Sequence, residues 1–264
     1  MARALRIGII GGSGWLGGAF AQAILAAGIV SAEHLTLSYR STRPARFSAA
    51  RWTADNQKLA DLSDVIIVSV RPADWPALSV SAGGKLVISV MAGITVEDLL
   101  TKLKSDRAVR SLPNAAAEVG WSYTPWVASP SVTSQDRLIV SRLFEACGVG
   151  EEMPGERELD YLTGLSGSGP AFPALLAAAM MRDAVSRGID PDVARRAATA
   201  VLIGAGRLLE RKSESPADTV EVFAAYRGTT AAAIEAMRSA GFDTAVAAGL
   251  EAALRKTTGM GQYN

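Results

Sequence analysis

Runs of consecutive apolar, largely β-branched residues recur through the first half of the chain, at 5–10, 35–39, 65–70, 86–90 and 108–111. They are apolar almost throughout instead of alternating with polar residues. That pattern predicts strands of a parallel sheet covered by helices on both faces. Between them, residues 15–27 and 95–104 repeat apolar positions at helical spacing, and Thr95 with Asp98 three residues on reads as a capping box. A further strand is expected near 126–128, followed by a helix over 134–146. Strands and helices in alternation give the α/β class, a doubly wound parallel sheet of the Rossmann kind.

After Gly148 the β-branched runs stop and alanine-rich helical periodicity takes over, so the remainder is expected to be all helix. One helix should start near Pro170, behind a Ser-Gly-Ser-Gly sequence. Asp190-Pro191 and Ser215-Pro216 each pair a capping side chain with a proline at the first helical position. The helix after Asp190 should present Ala194, Ala197, Val201, Ala205 and Leu208 on one face, and two more helices should cover 230–238 and 244–255. The change of texture near 153–157 divides the chain into an expected dinucleotide-binding domain, 1–154, and an all-α domain, 155–264.

Composition narrows the chemistry. A formal net charge of +1, with charged residues dispersed over 264 positions, offers no polybasic face, so no nucleic-acid partner is expected. No apolar run approaches the roughly 20 residues a membrane span needs, and the N-terminal residues lead into the first strand without a signal-peptide pattern. No membrane association is expected. A single cysteine, Cys147, excludes an internal disulfide and a thiolate cluster, which suits a reducing, cytoplasmic setting. The one histidine, His34, leaves no multi-histidine metal site or histidine triad, and no metal is expected.

Four segments carry candidate chemistry. Gly12-Ser13-Gly14-Trp15-Leu16-Gly17 fits G-x-G-x-x-G between a buried strand and a helix, where the glycines let backbone N–H groups and a helix N-terminus approach a pyrophosphate. At the end of the second strand, Tyr39-Arg40-Ser41-Thr42-Arg43 stands where an NAD enzyme would carry an acidic residue. Arginines and hydroxyls there suit a 2′-phosphate, so Arg40, Ser41 and Arg43 point to NADP, with solvated surface arginines as the alternative. Ser166-Gly167-Ser168-Gly169-Pro170 is either a nest of donors for a small carboxylate, reached by Ser166 and Ser168, or an ordinary helix cap. Thr229 and Thr230, after Tyr226-Arg227-Gly228, either hydrogen-bond a substrate or cap a helix.

Together these segments resemble the pyrroline-5-carboxylate reductase family along nearly the whole chain. The resemblance also rests on Asn56, on Val70-Arg71-Pro72, on Ser89-Val90-Met91-Ala92-Gly93-Ile94 and on Arg110-Ser111-Leu112-Pro113-Asn114. Its most specific part runs from Asp160 through Ser166-Gly167-Ser168-Gly169-Pro170-Ala171-Phe172. It implies reduction of the cyclic imine 1-pyrroline-5-carboxylate to L-proline with NADPH or NADH, in a homodimer or larger assembly built on the helical domain; the arginines after the second strand make NADPH the expected preference over NADH. By position, residues 12–17 with Arg40, Ser41 and Asn56 would hold adenosine and phosphates. Val70, Arg71, Pro72, Ala92 and Asn114 would lie toward the ribose and nicotinamide. Gly228, Thr229 and Thr230 would take the substrate, Thr230 serving its imine nitrogen.

Several positions depart from the family. Where it usually reads Ser-Pro-Gly-Gly-Thr-Thr, this chain has Ala225-Tyr226-Arg227-Gly228-Thr229-Thr230, which removes a hydroxyl and adds a ring and the Arg227 cation as a further substrate contact. Arg71 replaces a usual lysine, and Trp121 stands where glutamate is common. The extra Gly11 resembles the F420-dependent NADP oxidoreductases, though only over the first domain. Two alternatives to the leading reading are a related NADP-dependent reductase of another cyclic imino acid or carbonyl compound, and a non-catalytic nicotinamide-binding homologue.

Overall fold

The expected strands pair into one eight-stranded sheet in a computed structural model that describes residues 4–211 and 214–260. The strands are β1 Ile7–Ile10, β2 Leu35–Ser38, β3 Arg51–Thr53, β4 Val65–Val68, β5 Leu86–Ser89, β6 Arg107–Ser111, β7 Ser122–Ala128 and β8 Gly148–Glu152. Their spatial order is β3-β2-β1-β4-β5-β6-β7-β8, so the first six follow the doubly wound order. All neighbours are parallel except β6 and β7. The helices that cover or follow them are α1 Trp15–Ala26, α2 Asn56–Asp61, α3 Val96–Leu103, α4 Ser134–Glu145 and α5 Glu156–Leu162.

Side chains alternate across the pleat, and both sides are apolar. Ile7, Ile9, Val65 and Ile67 face the cluster that includes Phe20 and Ile24 of α1, whereas Ile10, Ile66 and Val68 face Leu59 of α2 and Leu99 of α3. Each such side chain taken fully from water contributes about 1.5–3 kcal/mol, which is why near-continuous apolar runs settle in the middle of a two-sided sheet. Thr95 caps α3 with the reciprocal bonds of a capping box to Asp98, as expected, and Thr133 with Asp136 does the same for α4.

Three short elements differ from expectation. The stretch after Gly148 was expected to be helical, yet Gly148–Glu152 forms β8, parallel to β7. Its Gly-Val-Gly-Glu-Glu sequence has weak strand propensity and is mostly exposed; pairing along the edge of β7 decides its conformation. β3 and α2 escaped notice because three and six residues are too short to display a period.

Beyond α5, a π-helical turn Thr163–Gly167 precedes α6 Ala171–Ser186, α7 Pro191–Arg211, α8 Pro216–Ala225, α9 Thr229–Ser239 and α10 Phe242–Met260. Asp190 caps α7 through Asp192 and Val193, and Ser215 caps α8. The chain separates into two compact units, one holding residues up to Ser168 together with those from Ala253 onward, the other Gly169–Ala252. Within the second unit α6 packs on α7 and α8 on α9. Only small residues of α7, Ala194 and Ala198, are buried; Leu175, Val201, Ile203 and Leu208 lie exposed. Among the described residues no helix is long and apolar enough to cross a membrane.

Candidate active site

Parallel pairing sets the first unit's site. Because β3, β2, β1, β4, β5 and β6 run in one direction, the segments leaving their carboxyl ends share one edge of the sheet. Gly12, Ser13 and Gly14 follow β1, Arg40 and Ser41 follow β2, and Asn56 opens α2 beyond β3. Val70, Arg71 and Pro72 follow β4, Ala92 follows β5 and Asn114 follows β6. The edge is where open α/β sheets take ligands.

The glycine turn is built for close approach. Gly11 has φ +82°, and a Cβ there would lie 2.3 Å from the Ser69 carbonyl oxygen; at Gly17 it would lie 2.5 Å from the Gly11 carbonyl oxygen. The Gly11 N–H donates to Ser38 Oγ at 3.0 Å and the Ser13 N–H to the Ser38 carbonyl at 3.1 Å, tying the turn to β2. Gly14, the residue before α1, supplies no side-chain cap, and the first turn of α1 has no acidic residue. The opening N–H groups of a helix lack intrahelical acceptors, so this turn fits the pyrophosphate of a dinucleotide.

Arg46, which sequence reasoning missed, spans the same turn. Its Nη2 donates to the carbonyl oxygens of Ser13 at 3.1 Å and Gly14 at 2.8 Å, and Phe47 beside it holds φ +56°. Nothing in the spacing of an isolated arginine marks such a contact. Arg43 and Ser41 are exposed. Arg40 and Arg71 both reach Asp74, another residue not anticipated: Arg71 is bidentate, Nε to Oδ2 at 2.8 Å and Nη2 to Oδ1 at 3.2 Å, while Arg40 Nη1 donates to Oδ1 at 3.2 Å.

Asn114 is buried, and both ends of its amide find a partner. Its Oδ1 accepts from the Ala116 N–H and its Nδ2 donates to the Ser166 carbonyl, both at 2.9 Å. The serines of the glycine-serine string turn inward on their own helix: Ser166 Oγ donates to the Leu162 carbonyl at 2.9 Å and Ser168 Oγ to the Thr163 carbonyl at 3.4 Å. A π-helical turn, not an open nest, therefore carries Ser166. Insertions of this kind recur at functional positions. The helix that leads into the turn, α5, is anchored by Arg110, whose guanidinium, 2% exposed, donates to Glu156 at 2.8 Å and Asp160 at 2.5 Å.

In the second unit, Gly228 precedes α9 without a side-chain cap, and Thr229 and Thr230 occupy its exposed first turn. Arg227 holds φ +49°, a left-handed conformation that glycine adopts freely and arginine does not. With Gly228, Ala231, Glu235 and Arg238 it lines an open groove of about 530 Å³. His34 ends a 3₁₀ turn and bonds Ser31 Oγ at 2.9 Å, a local structural role. Among the described residues no cluster of three metal-ligating side chains occurs.

Comparison with known proteins connects the two units to one lineage. A family profile described as pyrroline-5-carboxylate reductase dimerisation matches residues 156–260, and one described as NADP oxidoreductase, coenzyme F420-dependent, matches residues 6–93. A pyrroline-5-carboxylate reductase of Methanosarcina acetivorans is 31% identical over 91% of this chain and 92% of its own length. Another, from Synechocystis, is 29% identical over 98% and 99%. A crystal structure of Plasmodium falciparum pyrroline carboxylate reductase with NADP bound superposes with a TM-score of 0.84 at 24% identity, covering 98% of each chain. A relative 31% identical over nine-tenths of the chain, together with the matching dimerisation profile, means that the chain belongs to the pyrroline-5-carboxylate reductase family.

Proposed function

We propose that this chain reduces 1-pyrroline-5-carboxylate to L-proline with a nicotinamide cofactor, NADPH preferred over NADH. The observation that carries the reading is the full-length kinship with proteins named for that reaction. When bound, the cofactor supplies hydride to the imine carbon. An iminium carbon is already electrophilic, so the protein's task is proximity, orientation and a proton on nitrogen, and no histidine or thiolate is needed.

The residues divide that task. The N–H groups that open α1, at Trp15, Leu16 and Gly17, face the pyrophosphate across the turn of Gly12, Ser13 and Gly14, whose own N–H groups bond Ile9, Ser38 and Gly11 and whose lack of bulk lets the ligand approach; Arg40, Ser41, Arg43 and Asn56 serve adenosine and its 2′-phosphate; Val70, Arg71, Pro72 and Ala92 border the ribose and nicotinamide. The buried amide of Asn114 positions Ser166, and with it the turn that bears Ser168. The free first-turn N–H groups of α9, with Thr229 and Gly228, suit a substrate carboxylate, and the Thr230 hydroxyl serves the imine nitrogen. In this reading residues 1–154 hold the cofactor and 155–264 hold the substrate and a second copy of the chain. The buried Cys147 thiol suits the cytoplasm.

The test follows NADPH absorbance after the protein is mixed with 1-pyrroline-5-carboxylate, beside the six-membered homologue. Oxidation with the five-membered imine, reduced at least tenfold by Thr230→Val, is expected; a tenfold change corresponds to about 1.4 kcal/mol of lost transition-state stabilisation. NADPH binding without turnover of either imine overturns the reading. One observation favours a second reading, a larger or more anionic cyclic imino acid: Arg227 keeps a cation in a left-handed position. Under that reading Arg227→Gly raises turnover of the five-membered imine relative to the true substrate.

A further inference from the structure

The pair Arg40–Asp74 crosses the sheet edge. Arg40 leaves β2 and Asp74 ends a 3₁₀ turn, Pro72–Asp74, beyond β4; these two strands flank β1, whose end carries the glycine turn. A side chain from each flank therefore meets over the strand that delivers the dinucleotide turn. The fork of Arg71 satisfies both oxygens of the Asp74 carboxylate without help. Arg40 holds on by one longer bond, to an oxygen already shared with Arg71. Arg40 is 77% exposed and Asp74 33%, so the contact is open to solvent and to an incoming anion.

We infer that Asp74 is a specificity-determining residue that limits affinity for the adenosine 2′-phosphate, by offering Arg40 a competing anion and by repelling a phosphate placed on that guanidinium. The inference rests on the reading of Arg40 as a 2′-phosphate contact. A carboxylate and a phosphate satisfy a guanidinium through the same hydrogen-bond geometry, so the two compete for Arg40. Asp74 stays ionised at working pH: hydrogen bonding from Arg71, then the charges of Arg71 and Arg40, hold its carboxyl below the ordinary range against the opposing effect of burial. Removing its charge leaves two adjacent cations facing the ligand. The lost contact with Arg40 costs little, since an ion pair this open to solvent is weak. A ligand without the 2′-phosphate places no dianion on Arg40 and so gains little from the change.

The experiment is calorimetric titration of the full-length protein with adenosine 2′,5′-bisphosphate and with 5′-AMP, which differ only in that phosphate, for wild type, Asp74→Asn, Asp74→Ser and Arg40→Gln. Asp74→Asn and Asp74→Ser are expected to tighten the bisphosphate about three- to tenfold at low salt while leaving 5′-AMP within about twofold, and the gain should shrink as salt is raised. Arg40→Gln should weaken the bisphosphate alone. If Arg40→Gln acts selectively but both Asp74 variants leave the bisphosphate unchanged or weaken it, Asp74 preorganises Arg40 and the inference is overturned by itself. If wild type binds the two ligands equally and Arg40→Gln changes neither, the 2′-phosphate reading falls and the inference falls with it. NADPH and NADH titrated into the same variants must show the same ratio.

Discussion

Gly11 shows how one residue's backbone carries a functional constraint. Its φ of +82° and the 2.3 Å between a would-be Cβ and the Ser69 carbonyl oxygen exclude any side chain. Gly11→Ala should therefore destabilise the protein by about 2 kcal/mol or more, read as a lower midpoint in urea unfolding, from left-handed strain and overpacking together. Cys147 makes a contrasting case. It is fully buried, and burial pushes its thiol up to about 12. The native protein should resist thiol reagents near pH 8 and react only after denaturation, because the thiolate is the reactive form. Of the candidate site, the tight glycine turn between β1 and α1 was legible because its shape follows from local chain chemistry. Arg46 over the glycine turn and Arg40 on Asp74 were not, since each contact forms only when segments more than thirty residues apart end side by side.

At the scale of elements, caps were the easiest signals to read and long-range anchors the hardest. Thr95 bonds Asp98, Asp190 bonds Asp192 and Val193, and Ser215 bonds Asp218, all within three residues, so spacing alone announces these caps. The start of α4 adds a tertiary contact: Asp136 accepts from Thr133 Oγ1 at 2.7 Å and from Arg107 at 2.6 Å. Burial works to raise its pKa, but the donors from Thr133 and then Arg107 outweigh it, and the group lies below its ordinary value. A depressed folded-state pKa contributes stability above the unfolded value of about 3.9 and gives it up as pH falls through the lower folded value. Asp136→Asn should accordingly be less stable near neutral pH, and its stability should fall less steeply than that of wild type between about pH 5 and pH 2 in urea titrations. The π-helical turn lay outside sequence reasoning, because Ser-Gly-Ser-Gly is compatible with an open nest. Ser166 and Ser168 close it on carbonyls of their own helix, while Asn114, fifty-two residues away, holds the Ser166 carbonyl and Arg110 holds α5 just before it, and neither of those partners is visible in the local pattern.

At the scale of the whole molecule, the second unit leaves an unusual amount of apolar side chain uncovered. Leu175, Val201, Ile203, Leu208, Val222 and Phe223 are between 42% and 66% exposed, in a region matching a dimerisation family. Helices this apolar need a further copy to cover them. Sedimentation at micromolar concentration should give a dimer or larger species, and Val201→Glu combined with Leu208→Glu should shift it toward monomer. A monomeric wild type would count against that. The sequence by itself determined the strand and helix alternation, the glycine turn and most caps, because each depends on the chemistry of residues near one another in the chain. The tertiary structure alone decided that β8 is a strand, that Ser166 sits in a π-helical turn and that Asp74 stands between two arginines. Those outcomes come from pairing along a sheet edge and from charges on separate segments, and no local pattern encodes which distant residue will be the neighbour.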